Sequence, residues 1–346
     1  MSSSSASAPF AAGEPPLSSS TILAYSVGSA ADLPGGPSAS LLSSHPLDLS
    51  GRAVLLAVDD IAGADAAAHI ALALATSRHA LIHVVHVEDL VSSPTPAPLR
   101  QRQGGCDALP ASSVSSQRPL SVQASLSATL SRAVDWPVRI MRGTPANAIA
   151  QEARRIGAVL IVVGLQRHGR VHRALHDETA LTVMRHAVCP VLAVVPGMTE
   201  LPERVLAAVD FSETSLLAAR AAGAIMRDEG FLVLAYVAPL TGLSPDDGEL
   251  TVHELGVQAG FARTAETSQR EGITFDHVVL HHELPSSPAE MLVEYAYAAR
   301  TDLIAAGSVR REHGERLIMG SVSTELVRNG RQSLLIVPPS ARSVLD

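Results

Sequence analysis

Apolar runs without polar alternation recur along this chain, each bounded by small or charged residues. "AVLLAVDD" after Arg52 is the first, and the Ala-rich "ADAAAHIALALATSR" behind it has helical character. "ALIHVVHV", "PVRIMRG", "AVLIVVG" and "PVLAVVP" follow. A helix near Leu120, the helix "PANAIAQEARRIG" and the helix "ALTVMRHA" separate them. Short β-branched runs of this kind predict strands buried on both faces, the state of strands in a parallel sheet covered by helices. Strand–helix alternation then predicts a doubly wound α/β unit.

The unit occurs twice. "RVLAAVDFS" at Arg204 answers "RAVLLAVDD", "FLVLAYV" answers "ALIHVVHV", "TDLIAAG" answers "AVLIVVG", and "SLLIVPP" answers "PVLAVVP". The matches keep their order at an offset of about 140–150 positions, one domain length. Between them lie the helix "SETSLLAARAAGAIMRDEG", a helix across Glu249–Glu271, the strand "ITFDHVVLH", and the helices "SPAEMLVEYAYAAR" and "SVSTELVRNG". The expected architecture is two tandem Rossmann-like domains, residues 51–197 and 203–340, joined by "GMTELPE". Each is a parallel sheet of five strands alternating with four helices. Residues 1–50 are rich in Ser, Ala, Pro and Gly and read as a disordered tail, with "STILAYSV" able to add as an edge strand. Residues 91–119 read as a flexible insertion, much longer than "APLTGLSPDDGE" in the second copy.

Length agrees: 346 residues suffice for two domains. Apolar residues make up 47% of the chain but aromatics only 3%, so the core is built from Val, Leu, Ile and Ala. The net charge is −8 and the chain has no lysine, which excludes a Walker-type phosphate lysine and Schiff-base chemistry. An acidic chain without a basic stripe argues against nucleic acid as a partner. Cys106 and Cys189 cannot make a disulfide framework or a cysteine zinc site, which fits a reducing cytoplasm. "MSSSSASAPF" lacks a basic n-region, and no apolar run reaches the about 18–20 residues of a membrane span, so a cytoplasmic location is expected.

In doubly wound sheets ligands sit beyond the carboxyl ends of the strands, where the strand order reverses. Asp59, Gly164, Asp210 and Gly307 each close a strand and fall there. In "AAVDFSETS", Asp210 and Ser212 serve either a ligand or the start of the next helix. In "AAGSVRREHGERLIMGSVSTELVR", Gly320-Ser321 opens a helix whose free amides could receive an anion; otherwise Gly320 is a turn and Ser321 a cap.

The order of these pieces resembles the universal stress proteins, over both repeats from about Gly51 to Ser340. "VDFSETS", a glycine ending the fourth strand, Gly320-Ser321 and the terminal "LLIVPP" carry the resemblance. It implies ATP or a related adenine nucleotide in the crevice, held through G-x2-G-x9-G-[ST]. Asp210 and the backbone of Val237 would surround base and ribose, and Gly307, Gly320, Ser321 and Val322 the phosphates. Arg310 replaces the second glycine of that pattern. It adds bulk where backbone would lie against phosphate, and a guanidinium that could pair with it.

The first copy departs further. Asp59 is followed by Asp60 without a capping serine, Gly164 persists, the second glycine is Arg167, and Asp177-Glu178 stands for Gly-Ser. Two carboxylates at a helix N-terminus suit the dipole but repel phosphate, so this copy reads as a structural partner. "RGTPANAI" at Arg142 still fits the family. His168, His172 and His176 are spaced for one helical face, but no further ligand supports a metal, and His281-His282 is weaker still. No catalytic constellation is recognisable.

The leading expectation is a nucleotide-responsive stress protein, not an enzyme, in which occupancy of the second crevice alters domain packing or partner binding. A nucleotide-free interaction module and a slow ATP hydrolase are the alternatives. The two last strands are expected to pair within the chain, and two such tandems could dock as a homodimer.

Overall fold

The computed structural model describes residues 23–26, 47–58, 64–88, 112–165, 173–238, 252–281, 286–308, 311–313 and 316–345. A short strand β1 (Leu23–Ser26) comes first. The first half then runs β2 (Ala53–Val58), α1 (Ala64–Ser77), β3 (Leu81–Glu88), α2 (Ser112–Thr129) and β4 (Val138–Arg142). It closes with α3 (Pro145–Ile156), β5 (Leu160–Gly164), α4 (Arg173–His186) and β6 (Val191–Val194). The second half repeats this order in β7 (Arg204–Ala208), α5 (Glu213–Ile225), β8 (Phe231–Val237), α6 (Val252–Ser268) and β9 (Thr274–His281). It continues with α7 (Pro288–Ala298), β10 (Leu303–Gly307), a hairpin of β11 (Arg311–His313) and β12 (Arg316–Ile318), α8 (Ser321–Asn329) and β13 (Ser333–Val337). A 3-10 turn and the short α9 (Arg342–Leu345) follow.

All strands except the hairpin form one 11-stranded sheet, ordered β1-β9-β8-β7-β10-β13-β6-β5-β2-β3-β4. Within each half the five repeat strands are parallel. The halves meet where β13 pairs antiparallel with β6, setting Leu334, Leu335 and Ile336 opposite Ala193, Leu192 and Val191. This is the intrachain pairing that two apolar last strands call for. The strand order reverses between β2 and β5 and again between β7 and β10, which fixes two crevices.

Helices cover both faces. One apolar layer joins α1, α2, α5 and α6 to the sheet through Ile70, Leu74, Leu126, Leu217 and Phe261. The other joins α3, α4, α7 and α8 through Ile149, Met184, Leu292 and Leu326. Seam residues alternate between the layers: Leu192 and Leu335 belong to the first, Val191 and Ile336 to the second. Each layer is therefore continuous across both halves. Arg78, just past α1, also ties them, donating to the Ala224 carbonyl at 3.2 Å and pairing with Asp228 at 3.0 Å.

Local chemistry explains the helix ends. α3 and α7 both begin with proline at the first position, where a missing N–H costs nothing. Ser287 and Glu290 form a reciprocal capping box on α7. α3 stops at Gly157, whose φ of 64° lets its amide reach back to Ala153 and Arg154.

Leu23–Ser26, within the "STILAYSV" able to add as an edge strand, pairs antiparallel with β9. Three features differ from the sequence expectation. Leu47 and Leu49, before the expected domain start, are buried in the core. α2 begins at Ser112, inside the segment read as a flexible insertion. The Ser-rich start has no apolar period to mark it, and the helix is anchored further on by buried Leu126. The stretch between β10 and α8, read as a loop, holds the β11–β12 hairpin. Among the described residues no helix is long and apolar enough to cross a membrane. Cys189 is a buried free thiol, pushed up to about 12 by desolvation; Cys106 lies outside the described residues.

Candidate functional site

The second crevice opens where β7 and β10 end side by side, with Ala208 opposite Ala306. Asp210 stands two residues beyond β7 and is exposed. Its carboxylate accepts from the Ser212 amide at 3.0 Å and from the Ser212 hydroxyl, and its own amide donates to Ser215 Oγ at 3.3 Å. Ser212 caps α5 in turn, accepting from the Ser215 amide. Partial desolvation works to raise the Asp210 carboxyl, but the hydrogen bonds from Ser212 and Ser215 outweigh it and hold it below the usual carboxylate range.

That depression has a sign. A carboxyl whose folded value lies below its unfolded one adds stability above the ordinary aspartate range, and loses it as pH falls through the folded value. Asp210→Asn is therefore expected to be less stable than the parent at neutral pH. The gap should close on acidification, as read from urea midpoints across a pH series.

Between Asp210 and Ser212 the chain turns through Phe211, whose φ of 62° is a left-handed conformation unusual for a bulky residue. An aromatic clamp holds it: its ring stacks on Tyr236 and meets Phe261 edge-on, each at 5.2 Å. Gly260 makes the space, since a Cβ there would sit 2.5 Å from the Phe211 ring. Burial and then the Asp210 charge both raise the Tyr236 phenol, so it stays neutral beside Val237. Val237 ends β8 half-buried at the same edge.

Gly307 ends β10 and packs on the first turn of α5. A Cβ there would lie 2.7 Å from the Thr214 carbonyl carbon and 2.8 Å from the Ser215 amide nitrogen. Packing alone therefore requires glycine. Its carbonyl accepts from Ser323 Oγ at 3.0 Å, which pins the first turn of α8 to the end of β10.

α8 itself begins at Ser321, with Gly320 as the N-cap, and among the described residues no side chain accepts from its first amides. Ser321 is thus the first helical residue rather than the cap. α5 and α7 are capped by Ser212 and Ser287; α8 is left open beside an exposed Ser321 and a half-buried Val322. Uncapped amides at the positive end of a helix dipole are where an anion is best received. Arg310, Gly314 and His282 lie outside the described residues.

The crevices are unlike. Gly164 ends β5 as expected, whereas Asp59, Asp60, Arg167, His168 and His172 lie outside the described residues. Asp177 and Glu178, expected at a helix N-terminus, fall a turn inside α4, which already starts at Arg173. Without a Gly-Ser break nothing stops the helix from beginning earlier; His176 shares that segment. Among the described residues no three His, Cys, Asp or Glu side chains are grouped to hold a metal ion.

Sequence reasoning brought Asp210, Val237, Gly307, Gly320, Ser321 and Val322 to one sheet edge, and missed the supports Phe211, Ser215, Gly260 and Ser323. The three hydroxyl residues of "GSVST" were the available signal for Ser323.

Residues 51–195 and 202–338 match the model of the universal stress protein family. A universal stress protein of Methanocaldococcus jannaschii is 27% identical over 145 residues, which cover 40% of this chain and 82% of that protein. Among solved structures, a universal stress protein from Archaeoglobus fulgidus superposes with a TM-score of 0.57 at 17% identity, covering 84% of this chain and 97% of its own. A putative universal stress protein from Pseudomonas aeruginosa reaches 0.53 at 14% identity, covering 86% and 97%. At these identities the structural likeness speaks to fold.

Proposed function

Because the chain belongs to the universal stress protein family, matched by both of its halves, we propose that its second half binds ATP or a related adenine nucleotide and acts as a regulatory stress-response module. Asp210 and the end of β8 at Val237 would face base and ribose. The amides of Ser321 and Val322, with the Ser321 hydroxyl, would receive phosphate. The observation that carries this reading is the start of α8, uncapped among the described residues and held against β10 by the Ser323–Gly307 hydrogen bond. It supports a fixed, positively polarised helix end beside the strand that follows Asp210 in the crevice. Binding there would act on α8 and β13, and β13 is the strand that joins the halves.

Calorimetric titration with ATP, together with mass spectrometry of small molecules released on denaturation, tests the proposal. Gly320→Asp puts a carboxylate at the helix start. It should weaken ATP binding about 100-fold or more, since like charges in contact cost several kcal/mol, while the far-ultraviolet circular dichroism stays that of the parent. Unchanged affinity in that variant would refute this phosphate position.

A nucleotide-free interaction module is the second reading, and one observation favours it. Asp210 and Gly307 have complete structural duties at the start of α5 without any ligand. A purified chain that releases no nucleotide and ignores ATP would leave this reading.

A further inference from the structure

The two halves also differ at their outer edges. In the second half, Val278, Val279, Leu280 and His281 of β9 are covered by β1, which pairs antiparallel with them. Ala235, Tyr236 and Val237 on β8 stand opposite Val278, Val279 and Leu280. Counted from the first residue of β3, the corresponding Val85, His86 and Val87 stand opposite Arg139, Ile140 and Met141 of β4. Among the described residues nothing covers β4, which ends the sheet. The Val84 amide donates to the Pro137 carbonyl, and the Gly143 amide to Glu88. In a parallel ladder that alternation turns the amides and carbonyls of Val138, Ile140 and Arg142 away from β3, toward any added strand.

Charge at this edge is also particular to the first half. Arg155 holds Glu152 with two hydrogen bonds, at 2.8 and 2.6 Å, and Arg139 approaches the same carboxylate at 3.3 Å. Glu88 pairs with Arg142 at 3.0 Å and with Arg118 at 2.8 Å. The carboxylates lie beneath, Glu152 at 3% exposure and Glu88 at 19%, whereas the guanidinium side chains are 49–72% exposed. On each face of β4 two arginines stand over one carboxylate, a local excess of positive charge on a chain whose net charge is −8. Beside Arg139 and Arg155 a cavity of about 220 Å³ opens, lined by His83, Pro137, Val138, Arg139, Glu152 and Arg155. In the second half, counting from the prolines that start α3 and α7, Tyr295 and Ala298 stand where Glu152 and Arg155 do.

We propose that the β4 edge is a docking site for an extended acidic segment of a partner protein. The segment adds antiparallel along Arg139–Arg142, as β1 does along β9, and sets a carboxylate against Arg139 and Arg155 at the cavity. Self-pairing of two copies is disfavoured, because antiparallel β4 strands would bring their arginines together.

Full-length protein is titrated, by fluorescence anisotropy, with three labelled peptides: alternating valine and glutamate, alternating valine and lysine, and this chain's own residues 20–31. The glutamate peptide alone should bind. Ile140→Pro removes one outward amide while sparing the bonds to β3 and should abolish binding. Joint Arg139→Gln and Arg142→Gln should weaken it about tenfold. In the unmodified protein, bound peptide should slow hydrogen exchange at Ile140 and Arg142 more than at Arg139 and Met141, a readout independent of how any variant folds. Equal binding of the lysine peptide, preference for the chain's own segment, or exchange unchanged at those amides would each overturn the proposal.

Discussion

Gly307→Ala should destabilise the protein by about 1–3 kcal/mol although it adds a single carbon atom. The new Cβ would lie 2.7–2.8 Å from Thr214 and Ser215 atoms, all of them backbone, so no side-chain rotation relieves the clash. α5 would have to lift from β10, dragging the Ser212 cap and Asp210 with it. Gly256 provides the control. It lies within α6, and a Cβ there would meet nothing within 4 Å. Gly256→Ala should therefore raise stability, by up to about 1 kcal/mol. Urea midpoints of the two variants moving in the same direction would contradict the packing described for Gly307.

Leu335→Ala is expected to cost about 2–5 kcal/mol, as a fully buried leucine opening a cavity does. Leu335 shows no exposure and stands opposite Leu192 at the seam. Its layer contains residues of both α1 and α5, so the loss should not stay in the second half. The chain's one tryptophan, Trp136, reports from the first half, partly buried against that same layer. Its fluorescence transition should move by as much as a circular dichroism transition recorded on the whole molecule. A tryptophan transition left in place would mean that the halves unfold separately.

Where the pattern was long, sequence reading reached the fold. "RVLAAVDF" became β7, "SETSLLAARAAGAIM" became α5 with Ser212 as its cap, and the two apolar last strands found each other. Strands buried on both faces announce themselves by composition, and helices by their caps. Short elements gave no such signal. "REH" and "RLI" are too brief for alternation to be visible, and "LAYS" is a strand because β9 offers it an edge.

At the site, Asp210 and the Gly320-Ser321 start of α8 were legible because strand ends and helix starts can be read from spacing. The reason for Gly307 was not, since the backbone of Thr214 comes near it only after α5 folds back on the sheet. Likewise Phe211 owes its left-handed turn to Gly260, far along the chain. The Arg139, Arg155 and Glu152 cluster needs β4 and α3 packed together before it exists at all.

The antiparallel join of β6 with β13 has one more consequence. Two separate subunits meeting through such strands would part on dilution, and the extent of their union would track expression level. Covalent tethering removes that dependence, because each half meets its mate at a fixed effective concentration. The paired state therefore persists at any abundance.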